Sequence, residues 1–141
     1  MSRDDRFALA CVAVVAAATA WSAVAPVDRL TWALDAAPVL LCVPYLASVH
    51  RRFPLPPVVQ TLLAAYCVLL VLGAHWTFDE VPAGLAVKDA LGLRRNPYDR
   101  LVHLCGGFVG APLAREALRR GAGLARPRVL FWVSAAVVVA T

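Results

Sequence analysis

The amino-acid sequence predicts an all-α protein: a polytopic transmembrane helix bundle with four full spans and the start of a fifth. Three observations lead there. Of the 141 residues, 61% are hydrophobic and 16% charged, whereas a soluble domain is nearer half apolar and a quarter charged. The apolar residues are gathered into long blocks, the pattern of helices that cross a bilayer. Thirteen of the fourteen basic residues are arginine, and most flank those blocks, which suits headgroup contact and the setting of topology. The net charge of +5 is modest, and no basic patch is interleaved with aromatics. Membrane lipids are therefore the expected partners, and nucleic acid is not.

Phe7 to Ala25 is nineteen residues without a charge, enough to cross a hydrocarbon core of about 30 Å. Arg3 and Arg6 before it and Ala18-Thr19-Ala20 within it also resemble a secretory leader. Against a leader, Asp4 and Asp5 cancel the leading charge, and the run continues past Ala20. Leu30 to Val49 is the second span, with Asp35 about one turn inside and Pro38 and Pro44 interrupting its backbone donors. His50-Arg51-Arg52, with Pro54, Pro56 and Pro57, makes a stiff basic loop. Val58 to Trp76 is the third span, nineteen residues free of Asp, Glu, Lys and Arg. Ala83 to Leu93 admits a short amphipathic helix at the membrane surface or an irregular loop.

Leu101 to Ala114 is a fourth apolar run of fourteen residues, about 21 Å as a helix. To span, it must take in Tyr98, Asp99 and Arg100 at one end and Arg115 and Glu116 at the other; a re-entrant helix is the alternative. Gly106, Gly110 and Ala114 are four apart, a small-residue face that admits a neighbouring helix or a second copy of the chain. Val129 to Thr141 is a fifth apolar run of thirteen residues, about 20 Å and too short to cross. The whole of residues 1–141 is thus expected to be one transmembrane domain cut short at its C-terminus. Arg3, Arg6, Arg51, Arg52, Arg115, Arg119, Arg120, Arg126 and Arg128 fall on one side of this arrangement, against Arg29, Lys88, Arg94, Arg95 and Arg100 on the other. The positive-inside rule then places the N-terminus on the cytoplasmic side and the 77–98 loop outside.

The residues able to carry chemistry gather at that outer face. Asp99 and His103 are four apart and share a helix face. His75 and Asp79 close the third span at the same surface, with Glu80 and Arg100 nearby. His75, Glu80, Asp99 and His103 are the candidates for acid–base work or for a lipid-like ligand, and His75 and His103 for a metal. Asp99 could equally serve as a charge at the helix start, with His103 bonded to it and doing nothing more. If there is a site, His103 should point into the bundle, within reach of Asp99 or of the 75–80 segment. Cys11, Cys42, Cys67 and Cys105 each lie in an apolar run without a CxxC pair, and read as small hydrophobes. No nucleophile elbow, P-loop, HExxH or dinucleotide motif occurs, so neither a reaction nor a cofactor is named. A non-catalytic scaffold packing through Gly106 and Gly110 is the competing class.

The run Gly73-Ala74-His75-Trp76-Thr77-Phe78-Asp79-Glu80-Val81-Pro82 resembles the YjdF-like family of bacterial inner-membrane proteins. So do Arg95-Asn96-Pro97-Tyr98-Asp99-Arg100-Leu101-Val102-His103 and Ala114-Arg115-Glu116. Trp21-Ser22-Ala23, Pro26-Val27-Asp28-Arg29-Leu30-Thr31-Trp32 and Arg51-Arg52-Phe53-Pro54-Leu55 fit the same family. The Asp-Arg-x-x-His core is similar, more distantly, to the Asp-Lys-x-x-His helix of VanZ-like membrane proteins. The resemblance implies a polytopic bacterial membrane protein and assigns it no reaction. It also implies that relatives continue past the fifth helix with an acidic segment, so that a polar site completed by that segment would be only half present here.

Overall fold

The computed structural model describes residues 2–121 and 127–140, and every element among them is helical. The chain runs α1 (Arg3–Ser22), α2 (Arg29–Val49), α3 (Pro57–His75), α4 (Pro82–Leu91), α5 (Tyr98–Gly121) and α6 (Pro127–Ala140). Arg126 of the last basic stretch and Thr141, on which the expectation of a shortened chain rests, lie outside the described residues.

Each start is set by local chemistry. Ser2 and Asp5 form a reciprocal capping box on α1: the Asp5 N–H donates to Ser2 Oγ at 3.0 Å and the Ser2 N–H to Asp5 Oδ2 at 2.9 Å. Asp28 caps α2 by accepting from the Thr31 N–H at 2.6 Å. That bond holds the exposed Asp28 carboxyl below the usual carboxylate range. Pro57 and Pro82 occupy first-turn positions of α3 and α4, where no backbone donor is missed. The region from Ala83 is therefore a helix rather than a loop. It ends at Gly92, whose φ of +62° lets the Leu93 N–H turn back to the Lys88 carbonyl at 2.9 Å.

α3 is the hub. It packs against α1 and α2 on one side and α5 on the other, and α6 lies along α5. Val15 of α1, Val39 of α2, and Cys67 and Val71 of α3 form one buried cluster. Val81, Tyr98 and Val102 form a second, packed on Tyr66, Trp76 and Phe78. Leu70 touches both.

α1, α2 and α3 are long and apolar enough to cross a membrane. They are also largely uncovered: Leu34 and Leu41 of α2 and Val58 of α3 are exposed, the surface lipid would coat. The four full spans expected of the sequence reduce to three by this criterion. α5 has 24 residues, about 36 Å, but its length comes from carrying Asp99, Arg100, Arg115 and Glu116 inside the helix, and these offset its apolar centre. The described part of α6 has 14 residues, about 21 Å of helix.

Candidate functional site

The ends of α1 and α3 and the starts of α2 and α5 meet at one end of the bundle, and most of the polar residues singled out in the sequence are there. His75 closes α3, and its Nδ1–H donates to the Ser22 carbonyl at 2.8 Å; a carbonyl can only accept, so Nδ1 carries the hydrogen. The His75 carbonyl accepts from the Val27 N–H at 3.0 Å. His75 therefore grips both sides of the α1–α2 turn. Trp21 stacks on its ring at 4.9 Å, and Trp76 meets it edge-on at 4.6 Å. Ser22, fully buried, accepts from Trp32 Nε1–H at 3.1 Å through Oγ and donates to the Thr19 carbonyl at 2.9 Å.

A second knot is tied by Asn96. Its Nδ2 donates to the Asp79 carbonyl at 2.9 Å and the Val81 carbonyl at 3.2 Å, while Oδ1 accepts from the Tyr98 N–H at 3.0 Å. One amide thus joins the segment after α3 to the start of α5. Gly84 is required for this, because a Cβ there would fall on the Asn96 amide. Gly73 has a similar role: the Phe78 ring fills the space a side chain at 73 would need. Thr77 and Phe78 sit at φ of 54° and 57°, a costly region for residues other than glycine. The Phe78 N–H bond to the Gly73 carbonyl, 2.8 Å, holds them there. Tyr98 OH donates to the Leu69 carbonyl at 2.9 Å and pins α5 to α3.

Asp99 and His103 are brought together at 3.5 Å, as their spacing predicts. They do not face the bundle interior. Tyr98, Val102, Gly106 and Val109 are the buried face of α5, and a residue one position on is turned about 100° away. His103 is accordingly 64% exposed and Asp99 54%. Asp35 on α2 lies within electrostatic range of Asp99. Glu80 is exposed at the same end.

His75 and His103 thus have different partners, Ser22 with Trp21 for one and Asp99 for the other. Among the described residues, no three of His, Cys, Asp and Glu are grouped as a metal would need. Gly106 is closed within the chain, since a Cβ there would stand 2.8 Å from Tyr66 Oη. Gly110 and Ala114 are half-buried. All four cysteines are free, with Cys67 buried and Cys42 exposed on the apolar surface. Sequence reasoning attached no role to Ser22, Asn96 or Gln60. For Gln60 a signal existed: it is an amide inside a charge-free run.

The family model described as "Predicted membrane protein (DUF2238)" matches residues 7–141. The chain belongs to this family. It is 44% identical over 94 residues to "Inner membrane protein YjdF" of Escherichia coli (strain K12), a match covering 67% of this chain and 45% of that protein. The chain thus spans about half the length of this curated relative. No solved structure matches. The YjdF-like resemblance seen in the residue runs is therefore the family itself, and the apolar helices are those of a membrane protein homologous to an inner-membrane protein.

Proposed function

We propose that the chain is a multi-span inner-membrane protein whose Asp99–His103 pair forms a polar site for a lipid-like or small amphipathic molecule at the outer membrane face. α1, α2, α3 and α5 are its four full spans, α6 begins a fifth, and the N-terminus is cytoplasmic. The observation that supports this best is the 3.5 Å pairing of Asp99 with His103 beside exposed Leu104 and Phe108. The outward direction of His103 departs from the inward orientation expected of a site, so the ligand would lie on the outer side of α5. Ionisable groups within membrane helices are rare and pair with one another, and the Asp99–His103 pairing lets each group offset the other's desolvation. An amphiphile satisfies both halves of this surface, its chain against the leucine and phenylalanine and its head against the acid, the imidazole and Arg100. His75 belongs to the architecture holding the site, and Glu80 is a rim charge.

Comparison of His103→Asn and Asp99→Asn with the parent tests this. Both variants should accumulate in the membrane at near-parental levels, and co-purified lipid should fall. Unchanged lipid in both would sink the site. Reporter fusions at Lys88 and Gly121 should give opposite signals, and equal signals would reject the topology. A second reading, a scaffold that packs a partner helix, is supported by Gly110 and Ala114, which remain only half-buried where Gly106 is closed by Tyr66. Loss of a complex on Gly110→Leu, with His103→Asn silent, would favour it.

A further inference from the structure

The opposite end of the bundle contains a cavity of about 1090 Å³ between the start of α1, the end of α2 and the start of α3. We infer that it binds one membrane phospholipid with an amine-bearing zwitterionic head, of the phosphatidylethanolamine class, by an acyl chain inserted between these helices. Three observations carry this. The first is shape and lining. The walls run along α1 from Ser2 to Val15, about 20 Å of helix, which exceeds half of a hydrocarbon core of about 30 Å. An acyl chain of one leaflet has that reach. Below the mouth the wall is aliphatic, and small residues such as Ala8, Ala47 and Ala64 leave the room.

The second observation is Gln60. It is 8% exposed and lines the cavity. Its Nε2 donates to the Leu55 carbonyl at 2.7 Å, yet Oε1 is, among the described residues, the one buried side-chain polar atom with no partner. Such an acceptor costs free energy until a donor arrives. Gln60 lines the cavity near the Asp4, Asp5 and Arg51 end, so an occupant whose N–H reaches down from the mouth would give this acceptor its donor. The third observation is the mouth, which offers both signs of charge: Asp4 and Asp5 for an ammonium, Arg51 for a phosphate, with His50 held 3.5 Å from Asp5. This site rests on α1–α3 lying in the bilayer, but not on the Asp99–His103 site.

Native mass spectrometry of the full chain, released from nanodiscs of equal phosphatidylethanolamine, phosphatidylglycerol and phosphatidylcholine, tests it. The parent should retain one phosphatidylethanolamine in preference to the other two. Ala47→Trp, placed on the α2 wall, should abolish that retention, and Ala64→Trp, placed on α3, should do the same. Two plugs from different walls keep the test informative if one fails to fold, which a size-exclusion profile reports. Gln60→Leu should weaken retention about tenfold, the scale of one buried hydrogen bond. Equal retention of the three lipids, or retention that survives a well-folded plug, would overturn the proposal. Loss in His103→Asn with both plugs silent would move the lipid to α5 and equally overturn it.

Discussion

The two ends of this bundle are built on opposite terms. At the end where α3 closes and α5 opens, the buried and half-buried polar groups are engaged: His75 with Ser22, Ser22 with Trp32, Asn96 with two carbonyls and an N–H, Tyr98 with Leu69. At the other end the helices stand apart around a cavity, and a buried amide oxygen lacks a partner. A satisfied buried network rigidifies and specifies one packing, and an unsatisfied one in a roomy place is where a ligand belongs. The family-specific residue runs cluster mostly at the satisfied end, so much of what they encode there is architecture. Asp99 and His103 are the exception, since they share that end but face away from it.

The comparison breaks first at Asn96. Asn96→Ala leaves the Asp79 and Val81 carbonyls without their amide donor and the Tyr98 N–H without its acceptor. It should cost about 3 kcal/mol of stability by these lost bonds, read as a large drop in unfolding temperature in detergent. Gly84→Ala should reproduce much of that loss by displacing the same amide, and the double variant should be clearly less than additive. A loss of only a few tenths in both would mean that this end is not held as described.

The next effect is at Ser22. Ser22→Ala orphans Trp32 Nε1–H and should cost about 1–2 kcal/mol, while His75 keeps its bond because the acceptor there is the Ser22 backbone carbonyl. A near-ultraviolet dichroism change from Trp32, with His75 still protected, would sharpen the picture. An unaltered spectrum would contradict it.

The smallest effect is at Asp28. The Thr31 N–H favours its charged form, so its folded-state pKa is depressed below the unfolded value. Its contribution is then fully present above the unfolded pKa and is lost as pH falls through the folded pKa, in the acidic range. Parent and Asp28→Asn stability curves should converge as the pH is lowered through that window, and parallel curves would remove Asp28 as a charged cap.

Much of the helical order was legible because apolar runs and proline, glycine and Asx caps are local signals. The 30–49 and 58–76 runs became α2 and α3 within a residue or so at either end. The fourth run did not convert so directly: α5 is longer than its apolar stretch because charged residues such as Asp99 and Arg115 are good helix formers or caps and stay helical outside the hydrophobic segment. The Asp99–His103 pairing was legible from the i, i+4 rule. The outward direction of His103 was not, because it depends on which face of α5 meets α3, where Tyr98 bonds Leu69 and Gly106 lies against Tyr66. The partner of His75 was equally hidden, since Ser22 lies 53 residues away. The cavity was invisible for the same reason: small residues on three separate helices leave a space only after those helices pack.

The most direct test of the contrast between the two ends is hydrogen exchange of the loop amides, measured by mass spectrometry on the full chain in nanodiscs. The segments 76–81 and 92–98, tied by Asn96 and His75, should exchange slowly and alike whichever lipid is present. The segment 50–55 at the cavity mouth should exchange faster, and should slow when phosphatidylethanolamine replaces phosphatidylcholine. Equal protection at both ends in every lipid, or faster exchange at 76–81 than at 50–55, would contradict the account.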